Sequence, residues 1–211
     1  MSAFSDVNFF KAIESGMISI YPVVPDNIQP GSIDLTLHNI IEILDETDKL
    51  NPIDASSETL KSELKKHVKE IDITGGHILH PGDFCIGYSA EKIKLNKLVN
   101  GCLYNRNSLV RIGIDATLTA YINPGFSGRK MIGIRNIGKY DIRIAPGMRI
   151  CQLVLHTLLE EAKRGYSERH DTSKISQIAE HFPTDVAEQK YIDTSLSDFM
   201  NERIEIAASR I

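Results

Sequence analysis

The chain has 211 residues, 42% of them hydrophobic and 25% charged, with a net charge of −4. That length buries one sizeable core with decorations, and the negative balance argues against binding a nucleic-acid polymer, which needs a clustered Lys/Arg face. No apolar run reaches the roughly 18 residues that span a membrane, and MSAFSDVNFF has neither the basic nor the apolar region of a signal peptide, so a cytoplasmic protein is expected.

In chain order, Ser5 is set to cap a first helix over 6–15, with Phe9, Phe10 and Ile13 at helical spacing and Gly16 as its stop. ISIYPVV and SIDLTLHNIIEIL then alternate or cluster apolar residues as half-buried strands do, with Pro25, Pro30 and Gly31 marking turns. Residues 54–70, DASSETLKSELKKHVKE, break the pattern as a charged insertion, an exposed helix or a loop. From Ile71 the strands resume, punctuated by Gly75-Gly76, Pro81-Gly82, Asn100-Gly101, Pro124-Gly125, Gly138 and Pro146-Gly147, a rhythm that predicts a β-barrel or jelly-roll-like sandwich. The stretch 160–184 is polar. A last amphipathic helix is expected over 194–208, with Leu196, Phe199, Met200, Ile204 and Ala207 on one face.

The three cysteines, Cys85, Cys102 and Cys151, lie in apolar runs without CxxC spacing and read as buried thiols, and the seven histidines show no zinc spacing. In YNRNSLVR, Arg106, Asn107 and Ser108 follow a strand and could converge on phosphate oxygens; the alternative is a solvated turn arginine. Gln152, in PGMRICQL, is an amide that either meets a ligand or satisfies nearby backbone. Asp34, in QPGSIDL, is either functional or a polar residue on the outer face of a strand.

QPGSIDLTL, LHPGDFCIGYSAEKIKL, YNRNSLVRIGI, INPGFSGRKMIGIRNIG and IAPGMRICQLVL resemble, in sequence and order, the dCTP deaminase family and the related trimeric dUTPases, over residues 4 to about 177. The opening FSDVNFFKAIESGMISIYP is similar to the deaminase branch. The resemblance implies a distorted double-stranded β-helix, or jelly roll, over residues 1–177 with 178–211 as an extension, assembled as a homotrimer with sites between subunits. It implies that Arg106, Asn107 and Ser108 grip a deoxynucleoside triphosphate and that Gln152 contacts the nucleotide. Arg111 matches an arginine beside the reacting base. Asp34 falls in the motif associated with magnesium in dUTPases, so Mg²⁺ is expected with the nucleotide. Tyr166 and Gln177 match parts of a C-terminal segment that folds over the phosphates, whose lysine position falls at about Ser173, one before Lys174.

Two departures concern the chemistry. Deaminases of the family use a glutamate on the strand after the Pro-Gly-aromatic-x-Gly turn to activate water and protonate the leaving amine; counted from Gly128, that position is Gly133. The dUTP-hydrolysing relatives use an aspartate before the Pro-Gly pair. Here it is Asn123, which can hold a hydroxyl or a water but cannot take a proton. Asn107 also replaces a serine of the phosphate turn. Three readings follow: an enzyme whose acid/base comes from Asp115 or a neighbouring subunit, a nucleotide-binding protein that has lost the chemistry, and a structural trimer that docks another protein. Gly133 could also make room for a larger base.

Overall fold

The computed structural model describes residues 2–44 and 66–166. The expected C-terminal helix, the extension 178–211, Gln177, Ser173, Lys174 and residues 54–65 of the insertion lie outside the described residues.

The fold is mainly β, with fourteen described strands, all paired antiparallel. They are β1 (Ser2–Ala3), β2 (Ile18–Tyr21), β3 (Ile28–Gln29), β4 (Ser32–Thr36), β5 (Ile40–Leu44), β6 (Val68–Asp72) and β7 (His77–Leu79). There follow β8 (Phe84–Leu95), β9 (Val99–Asn105), β10 (Ile114–Asp115), β11 (Tyr121–Ile122), β12 (Ser127–Asn136), β13 (Ile142–Ile144) and β14 (Arg149–Thr157). One six-stranded sheet runs β11-β9-β14-β4-β3 with β1 on β14. The other runs β10-β12-β8-β5-β6 with β2 on β8, and β13 pairs with β7. Both six-stranded sheets are open.

Period-two alternation sends one set of side chains inward. In β12, Lys130, Ile132, Ile134 and Asn136 are buried, while Met131 and Arg135 are exposed. From the other sheet Leu35, Ile150, Cys151 and Leu153 join one core with them. At about 0.8 kcal/mol per buried methylene, this Ile/Leu-rich interior is the main drive to fold. Cys85 and Cys151 are buried free thiols and Cys102 is half-buried, also free; burial pushes the thiols of Cys85 and Cys151 up to about 12.

Helix α1 (Asp6–Glu14) starts as its sequence requires. The Ser5 hydroxyl accepts from the Asn8 amide at 3.3 Å, and the Asn8 side chain accepts from the Ser5 amide at 3.1 Å. This reciprocal cap satisfies two donors that a helix start leaves open. Phe9, Phe10 and Ala12 are its buried face.

The charged insertion ends earlier than expected. Residues 68–70 belong to β6, which pairs along its whole length with β5, Leu44 opposite Val68 and Ile40 opposite Asp72. β6 is the edge of its sheet, and exposed charges such as Lys69 and Glu70 are how a strand with one free side discourages further pairing. Those charges disguised a strand as a surface segment.

Candidate functional site

The phosphate-turn candidates begin where β9 ends. Arg106 leaves that strand with extended backbone and caps a four-residue helix, Asn107–Val110, and the backbone amide of Arg111 closes the turn onto the Asn107 carbonyl. Asn107, Ser108 and Arg111 are exposed. Arg106 is not a free turn arginine: its Nη2 lies 3.3 Å from Asp34 Oδ2, and its Nη1 donates to the Arg149 carbonyl at 3.4 Å.

Asp34 is therefore not an outer-face residue open to solvent; its side chain is 2% exposed. Opposite it on β14 stands Gln152, and opposite Gln152 on β9 stands Tyr104. Residues paired across antiparallel strands share a face, so Asp34, Gln152 and Tyr104 form one row across the sheet. Gln152 Nε2 donates to Ser32 Oγ at 3.4 Å, and Tyr104 is 52% exposed. Asp34 thus adjoins both Arg106 and Gln152.

The setting of Asp34 suits cations of the chain rather than a resident metal. Its Oδ2 faces Arg106 and, at 3.5 Å, Arg149 Nη1. Two guanidiniums at one carboxylate oxygen repel a divalent cation, and magnesium needs several oxygen ligands in octahedral array. Among the described residues no group of three or more His, Cys, Asp or Glu side chains converges.

Asp115 sits beside this turn with one carboxylate oxygen engaged. Its Oδ1 accepts from Asn105 Nδ2 at 3.0 Å, the Thr117 amide at 2.9 Å and the Thr117 hydroxyl at 2.8 Å. The Asn105 bond, with the Thr117 bonds behind it, holds the carboxyl below its ordinary range. A carboxylate so stabilised is a weak base.

The residues expected at a nucleobase lie elsewhere. Asn123 is exposed, and its carbonyl accepts from the Phe126 amide at 3.2 Å across the Pro124-Gly125 turn. Tyr166 is fixed to the same turn: its amide donates to the Pro124 carbonyl at 2.8 Å, and its ring lies 6.0 Å from that of Phe126. Among the described residues, no hydrogen bond or ion pair of Arg106 or Gln152 reaches Asn123 or Gly133.

Gly133 does not open a space for a larger base. A β-carbon built there meets Leu118 Cβ at 2.9 Å and Phe84 Cε2 at 3.4 Å. Thr119 finishes the closure, its Oγ1 donating to the Met131 carbonyl at 2.7 Å and accepting from the Gly133 amide at 3.3 Å. The strand face that would carry a carboxylate is covered by an aliphatic side chain.

Two buried ionisable groups escaped the sequence reading. Glu91 is 3% exposed and accepts from the Thr36 amide and hydroxyl, the latter at 2.7 Å; burial raises its pKa. Lys130 is 9% exposed and donates to the Tyr121 carbonyl at 3.0 Å, and burial pushes it down to about 8. Lys130 could have been suspected from its parity with Ile132 and Ile134, and Arg149 lay within the PGMRICQL run.

Comparison with known proteins shows the family. A family model described as dCTP deaminase-like matches residues 3–158. A protein of Methanosphaera stadtmanae named "dCTP deaminase, dUMP-forming" is 31% identical over 196 residues, covering 86% of this chain and 96% of its own. One of the same name from Methanothermobacter thermautotrophicus is 35% identical over 180 residues, covering 82% and 88%. Among solved structures, the 2'-deoxycytidine 5'-triphosphate deaminase of Agrobacterium tumefaciens shares the fold at a TM-score of 0.57 and 18% identity, over 74% of this chain and 48% of that one.

Proposed function

This chain belongs to the dCTP deaminase-like family, and from that premise we propose that it binds a pyrimidine deoxynucleoside triphosphate without carrying the family's acid/base carboxylate. The observation that carries this reading is Gly133 beneath Leu118. Deamination without a metal needs a group that takes a proton from water and returns one to the leaving amine. At position 133 there is no such group, and a β-carbon there would crowd Leu118. Asp115, the nearest substitute in sequence, is committed to Asn105 and Thr117. Missing acid/base assistance costs about 10² to 10⁴-fold in rate.

In this reading Arg106, Asn107, Ser108 and Gln152 hold the phosphates, Asn123 and Arg111 face the sugar and base, and Tyr166 lies against the base turn. Magnesium comes chelated by the nucleotide's own phosphate oxygens. The assembly in this reading is a homotrimer of distorted jelly rolls, as the resemblance to the trimeric dUTPases implies. A second reading, turnover of dCTP through to dUMP, is favoured by the names of the curated relatives; it requires an acid/base from a neighbouring subunit.

The experiment is incubation with a panel of deoxynucleoside triphosphates and magnesium, reading heat of binding, ammonia and pyrophosphate together. Binding without either product supports the first reading. Robust release of ammonia from dCTP overturns it in favour of the second.

A further inference from the structure

Arg149 enters the cradle because β14 breaks register. Between Arg149 and Cys151 the ladder with β4 advances two residues while β4 advances one, from Thr36 to Leu35. Ile150 is the extra residue. A bulge of this kind re-aims the side chains on one side of it. In an unbroken strand, residues 149 and 152 would face opposite ways. Here Arg149 stands opposite Thr36, on the face shared by Asp34 and Gln152, and the back-to-back burial of Ile150 and Cys151 is the packing trace of the same irregularity.

The consequence is a charge arrangement centred on one carboxylate. One carboxylate oxygen, Asp34 Oδ2, stands 3.3 Å from Arg106 and 3.5 Å from Arg149. Asp34 is 2% exposed, whereas the two arginine side chains are 26% and 37% exposed. The anion is sunk below the surface and both cations reach from it toward solvent. One negative and two positive charges leave the cluster at +1. Each guanidinium has five N–H donors in a fixed fork. Arg106 spends one nitrogen on Asp34 and one on the Arg149 carbonyl, and Arg149 spends Nη1 alone on Asp34. Donors therefore remain, on a surface that also carries Gln152 and leads directly to Asn107 and Ser108.

We propose that Arg106 and Arg149 form a two-armed clamp for a polyphosphate, with Asp34 as the positioning residue that aims both arms. This deepens the nucleotide-binding reading and rests on it. Planar forks suit phosphate oxygens bidentately, and a buried shared carboxylate removes much of the rotamer freedom that two long side chains would otherwise lose on binding. Asp34 acts through the arginines, not through a metal.

The test is calorimetric titration of the full chain with dUTP, dUMP and inorganic tripolyphosphate, each in magnesium and in EDTA. Arg149→Gln is expected to weaken dUTP and tripolyphosphate by roughly tenfold or more while changing dUMP less, with Arg149→Lys between the two. Asp34→Asn is expected to weaken the same two ligands equally with and without magnesium. Unchanged dUTP affinity in Arg149→Gln overturns the clamp, and this more exposed position keeps the test informative if Asp34→Asn fails to fold. A loss in Asp34→Asn seen only with magnesium makes Asp34 a metal ligand and overturns its positioning role. Wild-type binding of tripolyphosphate but of no nucleotide sinks the nucleotide reading and leaves the clamp; binding of neither overturns both.

Discussion

Leu118 packs its β-carbon into the position that a β-carbon on Gly133 would need, 2.9 Å away. The clashing atom is the root of the leucine side chain, so no rotamer change removes it. Returning a carboxylate to position 133 is thus a two-residue problem. Gly133→Glu alone is expected to destabilise the protein by about 1–3 kcal/mol, the cost of overpacking, and to add no deaminase activity. Only Leu118→Gly removes that atom, so the double variant Gly133→Glu/Leu118→Gly should lose less stability than the two single losses added. Thermal melts of the single and double variants check this, and a single variant as stable as wild type would show that the strand yields more easily than its packing indicates.

The hydroxyl of Thr119 ties the same strand through two polar groups, the Met131 carbonyl and the Gly133 amide. Thr119→Val keeps the shape and deletes both bonds. The expected loss is about 1–2 kcal/mol, read by chemical denaturation. An unchanged midpoint would mean that water replaces the hydroxyl without cost.

Asp115 is expected to behave as a fastener rather than a base. Its folded pKa is depressed by the Asn105 and Thr117 bonds, so its contribution is present above the ordinary aspartate range near 3.8 and is lost as pH falls through the lowered value. Asp115→Ala should cost about 1 kcal/mol at neutral pH, reduced by solvent screening, and should flatten the acid limb of the stability profile. Loss of nucleotide turnover with unchanged stability would instead assign Asp115 to the chemistry.

Lys130 titrates in the same sense, at higher pH. Burial lowers its folded pKa from 10.5 to about 8, so the folded state sheds the proton first and its relative stability rises as pH climbs from about 8 to 10.5. That gain is complete above the unfolded value and lost as pH falls through the folded one. The group it faces with a shared electrostatic influence is the Cys151 thiol, itself pushed up to about 12 and neutral across this window. Wild type should gain no more than about 3 kcal/mol on Lys130→Met between pH 8 and 10. Denaturation of both proteins at the two pH values measures it, and a constant difference would refute it.

Much of the fold was legible because its signals are local. Ser5 and Asn8 make a cap within four residues, and the Ile132/Ile134 alternation marks an inward face without reference to any partner. β6 was misjudged at its start because an edge strand is selected for charge on the side that faces water, which is also how a loop reads. The site divides the same way. Arg106 and Gln152 could be picked out as donors, and Gly133 and Asn123 as missing acids, from residue type alone. That Asp34 is buried between two arginines depends on Ile150 as an extra residue in β14, and no periodicity in PGMRICQL announces a bulge. Leu118 reaches Gly133 from a loop fifteen positions upstream, a contact visible only once the loop is folded back over the strand.

Gly125 has φ +74°, and a β-carbon there would lie 2.5 Å from the α-carbon of Gly165. Two backbones touch at that point with no side chain between them. Tyr166 is therefore held at a fixed mooring on the Asn123–Phe126 turn, its amide on the Pro124 carbonyl. A methyl group on Gly125 would push the two backbones apart and shift Tyr166 without altering Tyr166 itself. A change in the Phe126–Tyr166 ring packing caused in this way would trace to backbone geometry, with both rings left as they are.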